Sequence, residues 1–304
     1  MSAILNPLYT AVSWVIITFH DLLSFTNNEN LQWSVGIIAL VVLIRIILIP
    51  LFVKQIKSQR ALTALQPHMK AIQKKHKDDR QKQSEEMMKL YKEHKTNPFA
   101  SCFPILAQSP IFFALFTVLN GISQNKPHGL LKGEYLLSAQ EASFFGAPLS
   151  GTFLGSTDSG TKLVAILLIV FMSATTFTTQ RQLMVKGMPK MDASNNMMLQ
   201  QQKIMLYLFP IIFAVTGVNF PIGVLIYWST TNLWTWGQQY YVIKRNPTPG
   251  SPAYEELQKK RAAKGLLDEK SNNAEGTTIV EDQPEQTGQR VQPKRDKKRK
   301  KKNR

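Results

Sequence analysis

The chain reads as long apolar runs separated by strongly basic ones. The first run, Trp33–Val53 (WSVGIIALVVLIRIILIPLFV), is interrupted by a single charge at Arg45. At about 1.5 Å per residue such a helix crosses a hydrocarbon core of about 30 Å. Four more runs follow at Phe103–Ile122, Leu163–Thr179, Ile204–Val218 and Phe220–Tyr241. The fourth holds Pro210 and as a helix covers only about 22 Å, so local thinning of the bilayer is expected around it. Asn219-Phe220-Pro221 reads as a tight turn that makes the last two runs a helical hairpin.

Two weaker patterns are amphipathic. In residues 8–24, Leu8, Val12, Val15, Ile16, Phe19, Leu22 and Leu23 recur at helical spacing, opposite Thr10, Ser13, Asp21 and Ser24. This predicts a helix lying in the outer interface, with a signal-anchor as the alternative because Trp14 and Ile17 blur the polar face. Between Lys57 and Lys95, Leu62, Leu65, Met69 and Ile72, then Met87, Met88, Leu90 and Tyr91, keep helical register against Lys70, Lys74 and Lys75. Two helices joined near Lys77–Arg80 are predicted, forming a short coiled-coil-like hairpin. A solvated charged loop has no reason to keep so many apolar positions in register.

From Pro247 onward the chain turns polar and ends in KRDKKRKKKNR. A disordered tail with a polybasic tip is expected there, formed by Lys294, Arg295, Lys297, Lys298, Arg299, Lys300, Lys301, Lys302 and Arg304. Such a tip binds polyanions by counterion release, either ribosomal RNA or anionic lipid headgroups. The alternative is a tail that serves solubility and topology.

Charge then orients the runs. Of the 37 Lys and Arg in 304 residues, twelve fall in 54–95, four in 181–203 and seventeen in 244–304. Residues 1–30 hold none and 125–162 hold three. Five crossings with the N-terminus outside and the C-terminus in the cytoplasm satisfy every loop under the positive-inside rule. The expected organisation is an extracytoplasmic N-terminus with its interfacial helix (1–30), a first span (31–53) and a cytoplasmic helical hairpin (54–100). A second span (101–124), an extracytoplasmic loop (125–161), a third span (162–181) and a cytoplasmic loop (182–203) follow. The fourth and fifth spans (204–219 and 220–243) and the basic cytoplasmic tail (244–304) complete it. The predicted fold class is an all-α membrane protein with five transmembrane helices around a hydrophilic groove. The first thirty residues lack both the basic n-region of a secretory signal and the Arg-rich pattern of a transit peptide. That points to a bacterial plasma membrane, with a processed organellar form as the alternative.

Arg45 carries the chemistry. A charge at that depth costs roughly 2.5–3.5 kcal/mol on insertion scales. No Asp or Glu occurs in any of the five runs, so an ion pair between spans of this chain is excluded. Solvation by water and neutral polar groups is left, and the runs supply these. Gln108, Ser109, Thr117 and Asn120 lie in the second, and Ser173, Thr175, Thr176, Thr178 and Thr179 in the third. Tyr227, Ser229, Thr230, Thr231, Asn232, Gln238 and Gln239 lie in the fifth. Single Ser and Thr residues in membrane helices often bond their own backbone, but the set together with an unpaired Arg predicts a water-filled groove.

Enzyme chemistry finds no footing. None of the five histidines falls in a run, and HExxH, GxSxG and P-loop motifs are absent. The single cysteine, Cys102, excludes a disulfide framework and a cysteine zinc site. No catalytic residue, metal or cofactor is expected. An anion-selective transporter using Arg45 is one alternative function, and a ribosome-docking membrane scaffold another.

Three stretches resemble the YidC/Oxa1/Alb3 membrane protein insertase family in order and spacing. They are IRIILIPLFVKQIKSQRALTALQPHMKAIQKKH, EEMMKLYKEHKTNPFASCFPILAQSPIFFALF and QQQKIMLYLFPIIFAVTGVNFPIGVLIYWSTTNLWTWGQQ, and the likeness covers residues 5–243. The large extracytoplasmic domain of many Gram-negative members is missing, so the chain looks like the shorter Gram-positive insertases, although unlike some of those relatives it has no lipobox cysteine near the N-terminus. The resemblance implies a groove open to the cytoplasm and to lipid and closed outward. In it Arg45 matches the groove arginine, Trp228 and Phe112 match positions that contact substrates, and Gln108 and Tyr227 match less securely. Thr175, Thr176 and Asn232 are placed in the same groove. The implied partners are nascent membrane proteins, the lipid bilayer, the ribosome, the Sec translocon (SecYEG and SecDF) and components of the signal recognition particle pathway.

Overall fold

The computed structural model describes residues 2–94, 96–97, 103–188 and 196–263. The elements named below lie in the first of two compact units, residues 1–259, except that the last helix runs on past its end. Helix α1 spans Ser2–Leu22, longer than the 8–24 expected, and runs through Pro7. A 3₁₀ turn over Ser24–Thr26 and a left-handed Asn27 redirect the chain. Helix α2 (Glu29–Ile47) opens on Asn28, whose Oδ1 accepts the Leu31 N–H at 3.1 Å, satisfying an otherwise orphaned donor.

The first apolar run forms two helices instead of one. Leu48 ends α2 and Ile49 begins α3 (Ile49–Ala64). Pro50 has no N–H to give the Ile46 carbonyl, and its ring crowds the preceding turn. Helix α3 carries on past Lys54, so the apolar-to-basic boundary falls inside a helix. Helices α4 (Gln66–Lys75) and α5 (Arg80–Glu93) pair across a turn at 76–79, where Asp79 Oδ1 accepts the Lys82 N–H. Leu65 and Leu90 are buried, and the Tyr91 hydroxyl points to Met69 Sδ at 3.8 Å.

Helix α6 (Phe103–Gln124) contains Pro110, which leaves the Leu106 carbonyl without its ladder partner. The Ser109 hydroxyl donates to that carbonyl at 2.9 Å and repairs the gap. The connection after α6 folds into α7 (Glu134–Glu141) and a two-residue hairpin, β1 (Ser143–Phe144) with β2 (Ala147–Pro148). Helix α8 (Ser159–Gln182) is capped by Asp158, whose Oδ2 accepts both the N–H and the hydroxyl of Thr161. These bonds hold the Asp158 carboxyl below its ordinary range. It runs into a π-turn over Leu183–Gly187. Helices α9 (Asn196–Gly217) and α10 (Ile222–Arg245) form the hairpin that Pro221 allows. Within the stretch expected to be disordered, Pro252–Ala263 is helical (α11), since Ser251 and Pro252 suit the first turn.

Among the described residues two helices are long and apolar enough to cross a membrane, Glu29–Ile47 and Ser159–Gly187, with Lys203–Gly217 a shorter apolar helix. Their packing is uneven. Buried side chains occupy residues 32–41 of α2, 114–122 of α6, 161–172 of α8 and 222–229 of α10. All of these lie toward one end of the bundle, here called the capped end. There α1 lies across α2 so closely that a Cβ at Gly36 would sit 3.0 Å from the Ile16 carbonyl oxygen. A polar lock joins three helices beside it. The fully buried Trp33 donates its indole N–H to Ser138 Oγ at 2.8 Å, and Ser138 donates to Glu29 Oε2 at 2.5 Å. The same carboxylate oxygen meets His20 Nε2 at 3.0 Å, and the His20 ring lies 4.3 Å from the Trp33 ring. Toward the other end, beyond these segments, side chains on the same four helices are mostly half-buried or exposed.

Candidate functional site

Arg45 sits one helical turn past the last buried residue of α2, where the tight packing ends. It is half-buried and borders two small cavities. The first, of about 30 Å³, is lined by Arg45, Leu48, Leu51, Phe52, Gln55, Gln108 and Gln238. That is room for roughly two waters. The second, of about 10 Å³, lies toward the capped end against Val41, Ile44, Ile111, Phe112, Leu115, Tyr227 and Thr231. It is close to the least volume that admits one water. Gln108 and Arg45 line both.

Helical spacing explains how four helices converge here. Arg45, Leu48, Phe52 and Gln55 recur at intervals of three and four, so the break at Leu48 does not rotate them off one face. Gln108, Ile111, Phe112 and Leu115 do the same on α6, and Tyr227, Thr231 and Gln238 on α10. Pro110 falls within this stretch of α6 but lines neither cavity.

The electrostatics are those of a lone cation among neutral dipoles. Among the described residues no carboxylate lies within ion-pair distance of Arg45; the pairs found are His20 with Asp21 and Glu29, and Lys82 with Asp79. Three glutamine amides, a phenol and a threonine hydroxyl line the cavities instead. An arginine offers five N–H donors and no acceptor. The arrangement is fitted to receive an anionic or strongly polar group, and it contains no nucleophile paired with a base.

The predicted residues divide between three places. Arg45, Gln108, Phe112 and Tyr227 meet at the cavities. Trp228 lies behind them in an aromatic cluster, with ring centroids 6.1 Å from Phe112, 5.8 Å from Phe213 and 4.8 Å from Phe220. Phe112 also stacks on Phe116 at 6.2 Å, so the cluster backs the second cavity on its capped side. Thr175, Thr176 and Asn232 line neither cavity. Thr175 bonds the carbonyls of Phe171 and Met172 on its own helix. Asn232 Nδ2 donates to Thr176 Oγ1 at 3.1 Å and to the Met172 carbonyl at 3.4 Å, which fastens α10 to α8. The basic residues from Lys294 to Arg304 lie outside the described residues. Gln55 and Gln238 complete the first cavity; for Gln55 the signal was its ten-residue offset from Arg45, hidden in a charged stretch.

A family model described as 60Kd inner membrane protein matches residues 24–249. The chain is 54% identical over 253 residues to a membrane protein insertase YidC of Streptomyces avermitilis, covering 80% of this chain and 59% of that protein. It thus spans less than two thirds of that relative's length. The YidC of Tropheryma whipplei is 35% identical over 277 residues, covering 85% of this chain and 89% of its own. That of Bifidobacterium longum is 31% identical over 319 residues, covering 98% and 95%. A crystal structure described as an active YidC insertase with the first transmembrane domain resolved aligns at a TM-score of 0.49 and 27% identity, over 76% of this chain and 46% of that one. The family model spans well over half of the chain, and the Tropheryma and Bifidobacterium relatives align over nearly their whole length. The chain belongs to the YidC/Oxa1 family of membrane protein insertases.

Proposed function

We propose that this chain is a non-enzymatic insertase that helps nascent membrane proteins with short translocated segments enter a bacterial plasma membrane. In this reading the five apolar runs cross the bilayer with the N-terminus outside, and the capped end faces outward. The basic hairpin α4–α5 and the tail then lie in the cytoplasm, available to a ribosome and to components of the signal recognition particle pathway. The chain works alone or beside the Sec translocon.

The observation that supports this most is Arg45 itself: a cation without a carboxylate, bordered by water-sized cavities, where tight packing gives way to loose packing. A client's acidic residue supplies the missing charge. At about 4 Å and an effective dielectric of about 20, that attraction is about 4 kcal/mol, comparable with the cost of holding the carboxylate partway across. The loosely packed halves part to admit the segment, and the aromatic cluster around Trp228 limits how far it advances. Its apolar helix then leaves sideways into lipid, driven by burial and by the membrane potential.

The test is insertion of a single-span client into vesicles holding only the purified chain. Arg45→Ala is expected to lower insertion of a client with an acidic translocated tail by roughly tenfold or more, and Arg45→Lys to restore most of it. Equal loss for a client with an uncharged tail would overturn the electrostatic role. Anion flux through client-free vesicles, without insertion, would favour a transporter instead.

A further inference from the structure

The connection between α7 and α8 carries no charge over most of its length. From Ala142 to Thr157 it carries sixteen residues without a charge, in a chain of which 19% of residues are charged. It is not slack. Ser143 N–H donates to Asn30 Oδ1 at 2.6 Å at the start of α2. Leu154 N–H donates to the Val218 carbonyl at 3.3 Å just beyond α9. The Gly151 and Leu149 carbonyls accept from Ile222 and Gly223 at the start of α10, at 2.9 and 3.0 Å. At Gly151 the chain packs against Thr161 of α8, so close that a Cβ there would meet the Thr161 methyl at 2.9 Å. The loop is a neutral collar bonded or packed onto the ends of four helices.

Two apolar side chains stand out from the collar. Leu154 is 63% exposed and Phe145 is 85% exposed. Phe145 occupies the first central position of the β1–β2 turn, with φ 49°, and Gly146 follows at φ 82°. A two-residue turn of this hand favours Asn, Asp or Gly there, and a bulky side chain at positive φ is strained. The strain is held from below: Ala142, Ala147 and Leu149 are buried, and Phe144 packs on the core while its ring lies 4.6 Å from that of Phe145. The fold holds a phenyl ring outward, touched by the Phe144 ring on one side and otherwise exposed.

We propose that Phe145, with Leu154, dips into the outer leaflet at the headgroup–acyl boundary and fixes the depth at which the bundle rides. This rests on the membrane reading given above. Lipid is favoured over water or a protein partner because the collar is hydrogen-bonded to helix ends, which puts it at interfacial depth. One turn inward from the cap of α8, Leu163 is 59% exposed, so past the charged cap at Asp158 the flank of that helix is apolar again. A charge-free collar with aromatic and aliphatic tips is the composition that such an interface accepts. Pinned at that level, the apolar part of α9, Lys203–Gly217, reaches the opposite interface only if the bilayer thins on that side.

The experiment places single nitroxide labels on the full chain in a Cys102→Ser background, at Phe145→Cys, Leu154→Cys, Lys132→Cys and Leu167→Cys. The protein is reconstituted in phosphatidylethanolamine–phosphatidylglycerol vesicles, and collisions with oxygen and with a water-soluble nickel chelate are compared. The label at 167, on an exposed face of α8, is expected deep in lipid, and that at 132 in water. Labels at 145 and 154 are expected about 5–10 Å below the phosphate level. Nickel collisions at 145 and 154 equal to those at 132, with 167 still in lipid, would overturn this proposal and leave the membrane reading standing. Shielding of both labels from both reagents would show a protein contact and also overturn it. Nickel access at 167 would overturn the membrane reading, and this proposal with it.

Discussion

Trp33 is the place to test how the capped end is held. Its side chain is fully buried, and its indole N–H reaches Ser138 on α7 while its ring lies against His20 on α1. Trp33→Ala removes a large aromatic from a packed site, which costs about 3–5 kcal/mol. Trp33→Phe keeps much of the ring contact with His20 and loses one hydrogen bond, itself worth about 0.5–1.5 kcal/mol. The vacated pyrrole space adds to that, for a total of roughly 1–3 kcal/mol. Ser138 is not orphaned in either variant, because it still donates to Glu29. With about 2–4 °C per kcal/mol, the alanine variant should melt roughly 10 °C below the parent and the phenylalanine variant less than half as far below. Near-ultraviolet circular dichroism of the purified full chain in detergent micelles reads both. An alanine variant melting within about 2 °C of the parent would refute the reasoning, since the lock would then hold nothing together.

Two further outcomes are expected. His128 packs on Tyr9 in a strap whose Leu130 N–H is held by Ser13 Oγ, and burial, with Lys126 second, keeps its pKa below the ordinary range. A base so depressed is neutral in the fold, so the stability it lends is complete above about pH 6.5 and is lost as pH falls toward the folded value. Hydrogen-exchange protection of the Leu130 amide, corrected for intrinsic rate, should drop between pH 7.5 and 5.5; a constant value would contradict this. Asn232→Leu should cost about 0.6 kcal/mol, as interhelical bonds in membranes average, and leave client insertion unchanged. A large insertion defect in a normally melting variant would instead move Asn232 from the α8–α10 fastening to the client path.

The parts of this architecture that could be read from sequence are those written by local patterns. Arg45 stands out because a lone charge interrupts an apolar run, and Gln108, Tyr227 and Thr231 because polar side chains in apolar helices need a reason to be there. Composition does not say which way a helix faces: Thr176 and Asn232 join α8 to α10, and Thr175 bonds its own helix, away from the cavities at Arg45. Gln55 is hard to read from sequence because it sits beside Lys54 and Lys57, past the end of the apolar run at Val53, on a helix that runs on to Ala64. The lock at Trp33 was illegible for another reason. Its partners His20, Glu29 and Ser138 are ordinary surface residues by type, and Ser138 lies 109 residues from Glu29. Nothing local signals such a contact. The collar from Ala142 to Thr157 reads only as a connection, since its significance lies in hydrogen bonds to three distant helix ends and packing on a fourth.

Rods fastened together at one end behave as a clothes-peg does: the far tips spread under modest force while the fastened end barely stirs. The crowding of buried side chains into one half of α2, α6, α8 and α10 makes this chain such a device. If a client enters as proposed, few close contacts need break for the slack half to widen, so its width can follow the bulk of the client. Under the proposed insertion, the half that would have to yield for ions to pass is the tied one, and it stays shut while the slack half widens.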